Sequence, residues 1–290
     1  MSVALKATNV VLRLVRRFER PGGLHARAYP SAAPPPAAVR RRHLITTRLV
    51  DDRPVLTLTP RTGATGQQLL YTHGGSYVHP LVTAQWWIID RITRGTGITI
   101  TLPLYRLAPE GWVGEAYTVL HKVYTGLAER YGAAAVTLAG DSAGGALALG
   151  RAIVDRDNGT ELPRQIVLLS PWLDIALTNP AAAALEPRDP MLTVAGLVDA
   201  GALWCRDTDP RDPRVSPLHA DLSGLPPVHI VQGGQDVLAP DTELAAERLR
   251  DAGNTGSLHL EPGAFHNYLG AFWTPEARIA LTKIRSLLVG

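Results

Sequence analysis

The sequence contains a single cysteine, Cys205, among its 290 residues. An intrachain disulfide is therefore excluded, and no pair of cysteines is available for a CxxC metal site. We expect Cys205 to be buried and inert, because Leu203-Trp204-Cys205 is typical of the apolar end of a helix. This cysteine content is compatible with a reducing compartment, and a cytoplasmic location is the expectation.

Lysine is also scarce: it occurs at three positions, whereas lysine and arginine together number 29, and the net charge is only +3. Only one aromatic residue, Phe18, lies within the basic clusters at 13–20 and 40–42, fewer than a nucleic-acid site would require. No uninterrupted apolar run approaches the roughly 20 residues of a membrane span. Lys6, Asn9 and Arg13 interrupt any signal-peptide core. We therefore predict no nucleic-acid partner and no stable membrane insertion.

The first 43 residues are predicted to form a cap helix and a linker. Residues 2–20 predict an amphipathic helix whose apolar positions recur at helical spacing: Val3, Val10, Leu14 and Phe18. Pro21-Gly22-Gly23 would end this helix, and the Pro-rich stretch 31–38 predicts an extended connector. A helix packed over the domain is the favoured interpretation, and a membrane-surface anchor is the alternative.

Residues 44–290 alternate strands with helices, which predicts an α/β domain with a mostly parallel central sheet of about eight strands, flanked by helices. Strands are predicted at 44–50, 55–59, 68–72, 98–102, from 136, and at 164–169, 227–232 and 257–261. Helices are predicted at 113–131, from the elbow described below to about 155, and at 242–252 and 275–288. The segment 172–223 is rich in Pro, Ala and Asp and predicts a cap insertion, with a helix near 193–204.

The segment Gly140-Asp141-Ser142-Ala143-Gly144 is a Gly-x-Ser-x-Gly turn between an apolar β-branched run and a stretch of small residues. Strand, sharp turn and helix in this order predict a nucleophile elbow, from which Ser142 projects its hydroxyl at the edge of the sheet. Gly140 and Gly144 are needed because side chains there would collide with neighbouring backbone. The pentapeptide alone is weak evidence, and its strand and helix context strengthens the prediction.

A serine hydroxyl becomes a good nucleophile only when a histidine accepts its proton. Hydrolases with this elbow place an acidic residue and then the histidine further along the chain. His266 follows a predicted strand and lies in a loop that can reach the active edge, so we predict it as the base. His229 and His259 lie inside predicted strands, which favours structural roles for both.

The carboxylate that orients this base is predicted to be Asp236. It lies in Gly233-Gly234-Gln235-Asp236, directly after a predicted strand and therefore at the carboxyl edge of the sheet. Asp241 is the alternative, but its place before Thr242 and Glu243 predicts a helix N-cap.

Amide donors for the developing oxyanion are predicted at two places. One is the amide of Ala143, directly after the nucleophile. The others lie in His73-Gly74-Gly75-Ser76-Tyr77, a Gly-rich loop after an early strand, and we include Gly74, Gly75 and Ser76 in this oxyanion hole. We expect His73 to fix the loop by hydrogen bonds rather than to act as a base.

These motifs together resemble the hormone-sensitive-lipase-like family of bacterial carboxylesterases, which have the α/β-hydrolase fold. The matching segments are His73-Gly74-Gly75, Tyr105–Glu110, Gly140–Gly145, Ser170–Asp174, Gly234–Leu238 and Phe265-His266. The resemblance implies a Ser142, Asp236 and His266 triad, an oxyanion hole in the Gly75, Ser76 and Ala143 region with Gly74 shaping the loop, and no metal or cofactor. Two departures are Ser76 in place of a third glycine and a shortened stretch after Glu110, near Trp112.

The predicted function is hydrolysis of short- to medium-chain carboxylic esters through an acyl-enzyme intermediate. The predicted partner is a small-molecule ester, and Tyr77, Trp86 and Trp172 are predicted to line its pocket. An amidase, deacetylase or lactonase on the same triad is the first alternative. A non-catalytic small-molecule receptor is the second, although the presence of His266 disfavours it. Dimers are common in the resembled family, but this sequence does not demonstrate one.

Overall fold

One eight-stranded sheet organises the protein, whose structure is a computed structural model describing residues 1–18 and 31–290, with side chains up to residue 15 in the first segment. The strands lie in the order β1-β2-β4-β3-β5-β6-β7-β8. They are β1 (His43–Val50), β2 (Arg53–Pro60), β3 (Gln68–Thr72), β4 (Thr99–Pro103), β5 (Val136–Asp141), β6 (Gln165–Leu169), β7 (Val228–Gly233) and β8 (Ser257–Glu261). Strand β2 is antiparallel to β1 and β4, and the other pairings are parallel. The predicted mostly parallel sheet is confirmed.

Helices cover both faces of this sheet. They are α1 (Val3–Phe18), α2 (Ala37–Arg42), α3 (Thr83–Thr93), α4 (Val113–Tyr131), α5 (Ala143–Asp157), α6 (Pro180–Leu185), α7 (Val194–Cys205), α8 (Ala239–Asp251) and α9 (Pro275–Val289). Strand side chains alternate between the faces, so that Leu69 and Tyr71 pack in one apolar cluster and Leu70 packs in the other. The first cluster includes residues of α3 and α9, and the second includes residues of α4, α5 and α8.

The register of the parallel strands brings several loops to one edge of the sheet. Thr72 pairs with Gly140, Asp141 with Leu169, and Gly233 with Glu261. The chain therefore leaves β3, β5, β7 and β8 at neighbouring points of the carboxyl edge, where ligands of such sheets bind. The predicted oxyanion loop, nucleophile, acid and base all lie in the segments that directly follow these four strands.

Helix α1 packs through a different face from the predicted apolar stripe. Leu5 is fully buried, whereas Val3, Val10 and Leu14 are 83%, 56% and 48% exposed. The predicted terminator Pro21-Gly22-Gly23 lies outside the described residues.

Three further elements correct the sequence predictions. The predicted extended connector 31–38 runs into helix α2 at Ala37. Helix α3 was not predicted at all. Helix α8 starts three residues earlier than predicted, so Leu238 is its N-cap and Asp241 lies in the first turn. Burial raises the pKa of the Asp241 carboxyl to about 6.

The segment 172–223 contains helices α6 and α7, and α7 matches the helix predicted there. Cys205 ends α7 and is buried, as expected, and this burial raises the pKa of its thiol to about 11. Across residues 1–18 and 31–290, no helix combines the length and apolar character needed to cross a membrane.

Candidate active site

Ser142 lies in a sharp turn between β5 and α5, with a backbone φ of 54° and ψ of −123°. The turn is tight because the neighbouring glycines pack against backbone. A Cβ on Gly144 would lie 2.0 Å from the Thr72 carbonyl oxygen, and one on Gly140 would lie 2.3 Å from the Gly144 carbonyl oxygen. These distances are too short for any side chain, so the predicted requirement for both glycines holds.

His266 and Asp236 form a buried pair at the carboxyl edge. The imidazole Nδ1 lies 2.8 Å from Asp236 Oδ2, and the two residues are 5% and 0% exposed. Asp236 Oδ2 also accepts a hydrogen bond from Gln232 Nε2 at 2.8 Å, and Oδ1 accepts one from the Leu238 amide at 3.0 Å. Because the carboxylate accepts at Nδ1, the neutral imidazole has its proton there and an unprotonated Nε2.

Several charges act on the pKa of His266. Burial alone would lower this pKa, but the charge and hydrogen bond of Asp236 raise it above the ordinary value, with further contributions from Asp189 and Asp141. Asp189 lies between α6 and α7, is 2% exposed, and accepts a hydrogen bond from the Val237 amide at 2.9 Å. Burial and the charge of Asp236 raise the pKa of the Asp189 carboxyl. The base therefore lies among buried carboxylates.

The hydroxyl of Ser142 forms no hydrogen bond with His266 within the described part of the chain. The imidazole Nε2 instead contacts Asn267 Nδ2 at 3.3 Å. Asn267 has left-handed backbone angles, with φ of 52° and ψ of 38°, a conformation that asparagine tolerates better than most residues. Hydrogen bonds between a nucleophile and its base are often long or poorly aligned in free enzymes, so this geometry is compatible with the predicted roles of Ser142 and His266.

Asp141, the residue before Ser142, holds several parts of the site together. Its carboxylate accepts hydrogen bonds from the Tyr71 hydroxyl at 2.8 Å, the Gly74 amide at 3.0 Å, Gln85 Nε2 at 2.9 Å and Asn267 Nδ2 at 3.1 Å. Sequence reasoning missed this role. Asp141 lay inside the elbow motif, but nothing in the sequence indicated that Gln85 and Asn267 would reach it.

The predicted oxyanion loop lies beside Ser142, since a Cβ on Gly74 would approach Ser142 Cβ to 2.9 Å. The prediction of Gly74 as an oxyanion donor is wrong, because its amide already donates to the Asp141 carboxylate. The amides of Gly75, Ser76 and Ala143 meet no acceptor among the described residues. They remain the predicted donors.

Backbone angles in this loop explain which residues it accepts. Gly75 has a φ of 122°, and a Cβ there would lie 2.3 Å from the His79 carbonyl oxygen, so only glycine fits. Ser76 and Tyr77 have φ values of 53° and 63°, in the left-handed region. The serine in place of a third glycine is therefore accommodated with some backbone strain.

His73 contributes to the shape of this loop. Its Nδ1 contacts the Gly74 carbonyl oxygen at 2.7 Å, and its ring stacks on Tyr105 at 4.5 Å. Burial lowers the pKa of His73, which keeps the ring neutral. His229 and His259 lie in β7 and β8, as predicted. Among the described residues, no group of three His, Cys, Asp or Glu side chains could hold a metal ion.

Aromatic side chains pack next to the elbow. Tyr77 stacks on Trp204 at 4.4 Å and tilts against Trp172 at 5.6 Å, and the Trp172 amide donates to the Ser142 carbonyl at 3.0 Å. Tyr77, Trp172 and Trp204 pack in one apolar cluster, and the lining of a substrate pocket by Tyr77 and Trp172 stays a prediction. Trp86 does not join these aromatic residues, because α3 places it in another apolar cluster, where its indole donates to the Ala33 carbonyl.

A family model described as alpha/beta hydrolase fold matches residues 69–270. This chain belongs to the α/β-hydrolase family. An acetyl-hydrolase of Streptomyces hygroscopicus is 34% identical over 202 residues, covering 69% of this chain and 68% of its relative. Esterase LipU of Mycobacterium tuberculosis is 30% identical over 229 residues, covering 76% of each chain.

The solved structures narrow the family assignment. The crystal structure of an esterase from the bacterial hormone-sensitive lipase family is 26% identical, with a TM-score of 0.85 over 100% of this chain and 98% of that chain. The hormone-sensitive-lipase-like family predicted from the sequence motifs is thereby confirmed.

Proposed function

We propose that this α/β-hydrolase is a serine carboxylesterase that cleaves short- to medium-chain carboxylic esters through an acyl-enzyme. The observation that carries the proposal is the buried 2.8 Å pair of His266 and Asp236 at the same sheet edge as the Ser142 elbow. Relatives and structural neighbours named esterase or acetyl-hydrolase support it. The proposed unit combines a cap made from the N-terminal helix and residues 172–223 with a catalytic domain from residue 44.

In the proposed mechanism, His266 Nε2 takes the proton of the Ser142 hydroxyl as its oxygen attacks the ester carbonyl carbon. The carbonyl oxygen becomes an oxyanion that accepts hydrogen bonds from the amides of Gly75, Ser76 and Ala143. When the ester bond breaks, His266 gives its proton to the leaving alcohol, and the acyl group remains on Ser142. Water then attacks the acyl carbonyl, His266 accepts its proton, and the acid is released as His266 returns the proton to Ser142.

The aromatic side chains beside the elbow support the proposed preference for short acyl chains. Tyr77 packs against both Trp172 and Trp204, and all three are 0% exposed, so we expect a long acyl chain to meet packed rings. Ser142 is itself only 3% exposed, so the proposed nucleophile lies below the protein surface.

A substrate panel tests this proposal. We expect turnover of p-nitrophenyl acetate and butyrate, a decline towards the palmitate, and far slower turnover of acetyl p-nitroanilide, because an amide is a harder substrate for acyl transfer. Comparable rates on ester and anilide would favour an amidase. Saturable binding of esters without turnover by the folded protein would favour a receptor. Labelling by a fluorophosphonate, mapped to Ser142 by mass spectrometry, identifies the nucleophile independently.

The pH profile provides a second test, because His266 acts as a base only when it is neutral. The carboxylates around it raise its pKa above 6.5, so we expect kcat/KM to be half-maximal at a pH above 6.5. Below that point activity falls about tenfold per pH unit. Circular dichroism over the same range separates this loss from acid unfolding. A profile that stays flat to pH 5 would contradict the assignment of His266 as the base.

A further inference from the structure

Helix α1 presents an apolar face to solvent. Five side chains on this face are about half exposed or more, and they are Val3, Val10, Val11, Leu14 and Val15. At 100° per residue these positions fall on one side of the helix, opposite Leu5 and Asn9, which are buried against the domain. A continuous exposed stripe of this kind differs from the single exposed apolar residues of an ordinary surface and marks an interaction site.

The two borders of this face carry different chemistry. Lys6 and Arg13 lie along one border, and residues 1–18 contain four basic residues and no Asp or Glu. On the other border, Trp273 donates its indole N–H to the Thr8 hydroxyl at 3.2 Å, while its side chain is 55% exposed. Tryptophan favours the boundary between water and lipid, and basic residues favour anionic lipid headgroups.

We propose that α1 is a surface-seeking helix that binds the protein to an anionic lipid surface through this apolar face. The helix has 16 residues and is about 24 Å long, too short to cross a bilayer but suited to lying in its interface. A second copy of the chain is the competing occupant of this face. It would bring the same positive charges, whereas an anionic surface complements them.

The anchoring of α1 connects this surface to the candidate active site. Asn9 Nδ2 donates to the Gly263 carbonyl at 3.0 Å, and Arg13 contacts Gln235 Oε1 at 3.3 Å. Gln235 directly precedes Asp236, and Gly263 lies in the loop that leads to His266. Binding through α1 therefore holds the loops of the proposed acid and base close to the lipid surface. The inference of lipid binding itself does not depend on the proposed esterase activity.

Vesicle flotation of the full chain tests the proposal. We expect the protein to float with phosphatidylcholine vesicles that contain about 30% phosphatidylglycerol and to bind pure phosphatidylcholine vesicles far more weakly. Raising the salt concentration weakens the binding, because ions screen the basic border. Equal binding to both vesicle types, or no flotation with either, would overturn the proposal.

Matched double variants locate the surface. Val10→Ser combined with Leu14→Ser removes apolar area from the exposed face, and we expect the partition coefficient to fall about tenfold or more. The control combines Leu44→Ser with Leu49→Ser, two side chains of β1 that are 52% and 67% exposed, and it keeps parental binding. Lys6→Gln reduces binding to anionic vesicles about fivefold.

Further readouts keep the test decisive. Turnover of a water-soluble ester by the α1 double variant reports whether the fold and the site are intact, so failure of lipid binding is distinguishable from failure of the proposed function. An α1 double variant that floats as well as the parent would contradict the proposal. The proposal would also be contradicted if light scattering showed that the parent is a dimer, that the α1 double variant is a monomer, and neither protein bound vesicles.

Discussion

Replacing Ser142 with alanine is expected to lower kcat on p-nitrophenyl butyrate by about 10⁴-fold or more. The substitution removes the only atom that can form the acyl-enzyme, while the Cβ that fills the elbow remains. The elbow itself is set by Gly140, Gly144 and the Thr72 hydroxyl, which donates to the Gly144 carbonyl at 2.6 Å. We therefore expect the melting temperature to stay close to that of the parent.

Ser170→Ala is the matched control for this substitution. Ser170 is also buried and also has a positive φ, of 44°, but it directly follows the neighbouring strand β6, and its hydroxyl accepts from the Asn267 amide. Loss of that single hydrogen bond should cost no more than about tenfold in kcat. If Ser142→Ala and Ser170→Ala hydrolysed the ester equally well, the acyl-enzyme mechanism would be wrong.

Asp236→Asn is expected to lower kcat by about 10⁴-fold. Asp236 Oδ2 accepts from both Gln232 and His266, so an amide nitrogen in its place would face two donors. If the asparagine donates to Nδ1, the imidazole proton moves to Nε2, which can then no longer accept the proton of Ser142. Measurements of kcat, together with thermal melts, separate this loss of catalytic rate from a loss of folding stability of about 1–3 kcal/mol.

Asp189→Asn removes another buried carboxylate whose charge acts on His266. Its charge helps to raise the pKa of His266, so the variant should move the acid limb of the pH profile to lower pH. Its kcat at high pH should stay within about tenfold of the parent value, since the proton of Nδ1 still has its acceptor. A collapse of activity in Asp189→Asn with parental activity in Asp236→Asn would reverse the two assignments.

The residues proposed for catalysis could be predicted because each follows a strand. Parallel strands end at one edge, so Ser142, Asp236 and His266 could be expected to lie near one another although they are far apart in sequence. The prediction of Asp241 as a helix N-cap is wrong: the helix starts at Ala239, because Pro240 suits the first turn better than the interior.

Helix α3 could not be predicted from local sequence. Its N-cap is Val82, whose apolar side chain gives no capping signal, and Trp86, Ile88 and Ile89 are bulky or β-branched residues that equally suit strands. Tertiary packing against α9 decides in favour of a helix. The same packing explains the error over Trp86, since its location depends on which face α3 buries.

The contacts around the predicted catalytic residues could not be predicted from the sequence either. The Gly74 amide looked available in the sequence because nothing there shows that Asp141 reaches it. Asn267 looked like a neutral loop residue, yet its side chain contacts His266 and Asp141 together. Such contacts join residues from different strands and emerge only once the strands are in register.

The carboxylate of Asp141 gives the site a common anchor. Segments from β3, the predicted oxyanion loop, α3 and the loop after β8 all donate to it, so one carboxylate links four parts of the chain. The aromatic residues Trp172 and Trp204 do not donate to this anchor. Substitution of either tryptophan can therefore change the packing beside the elbow while the hydrogen bonds to Asp141 are kept.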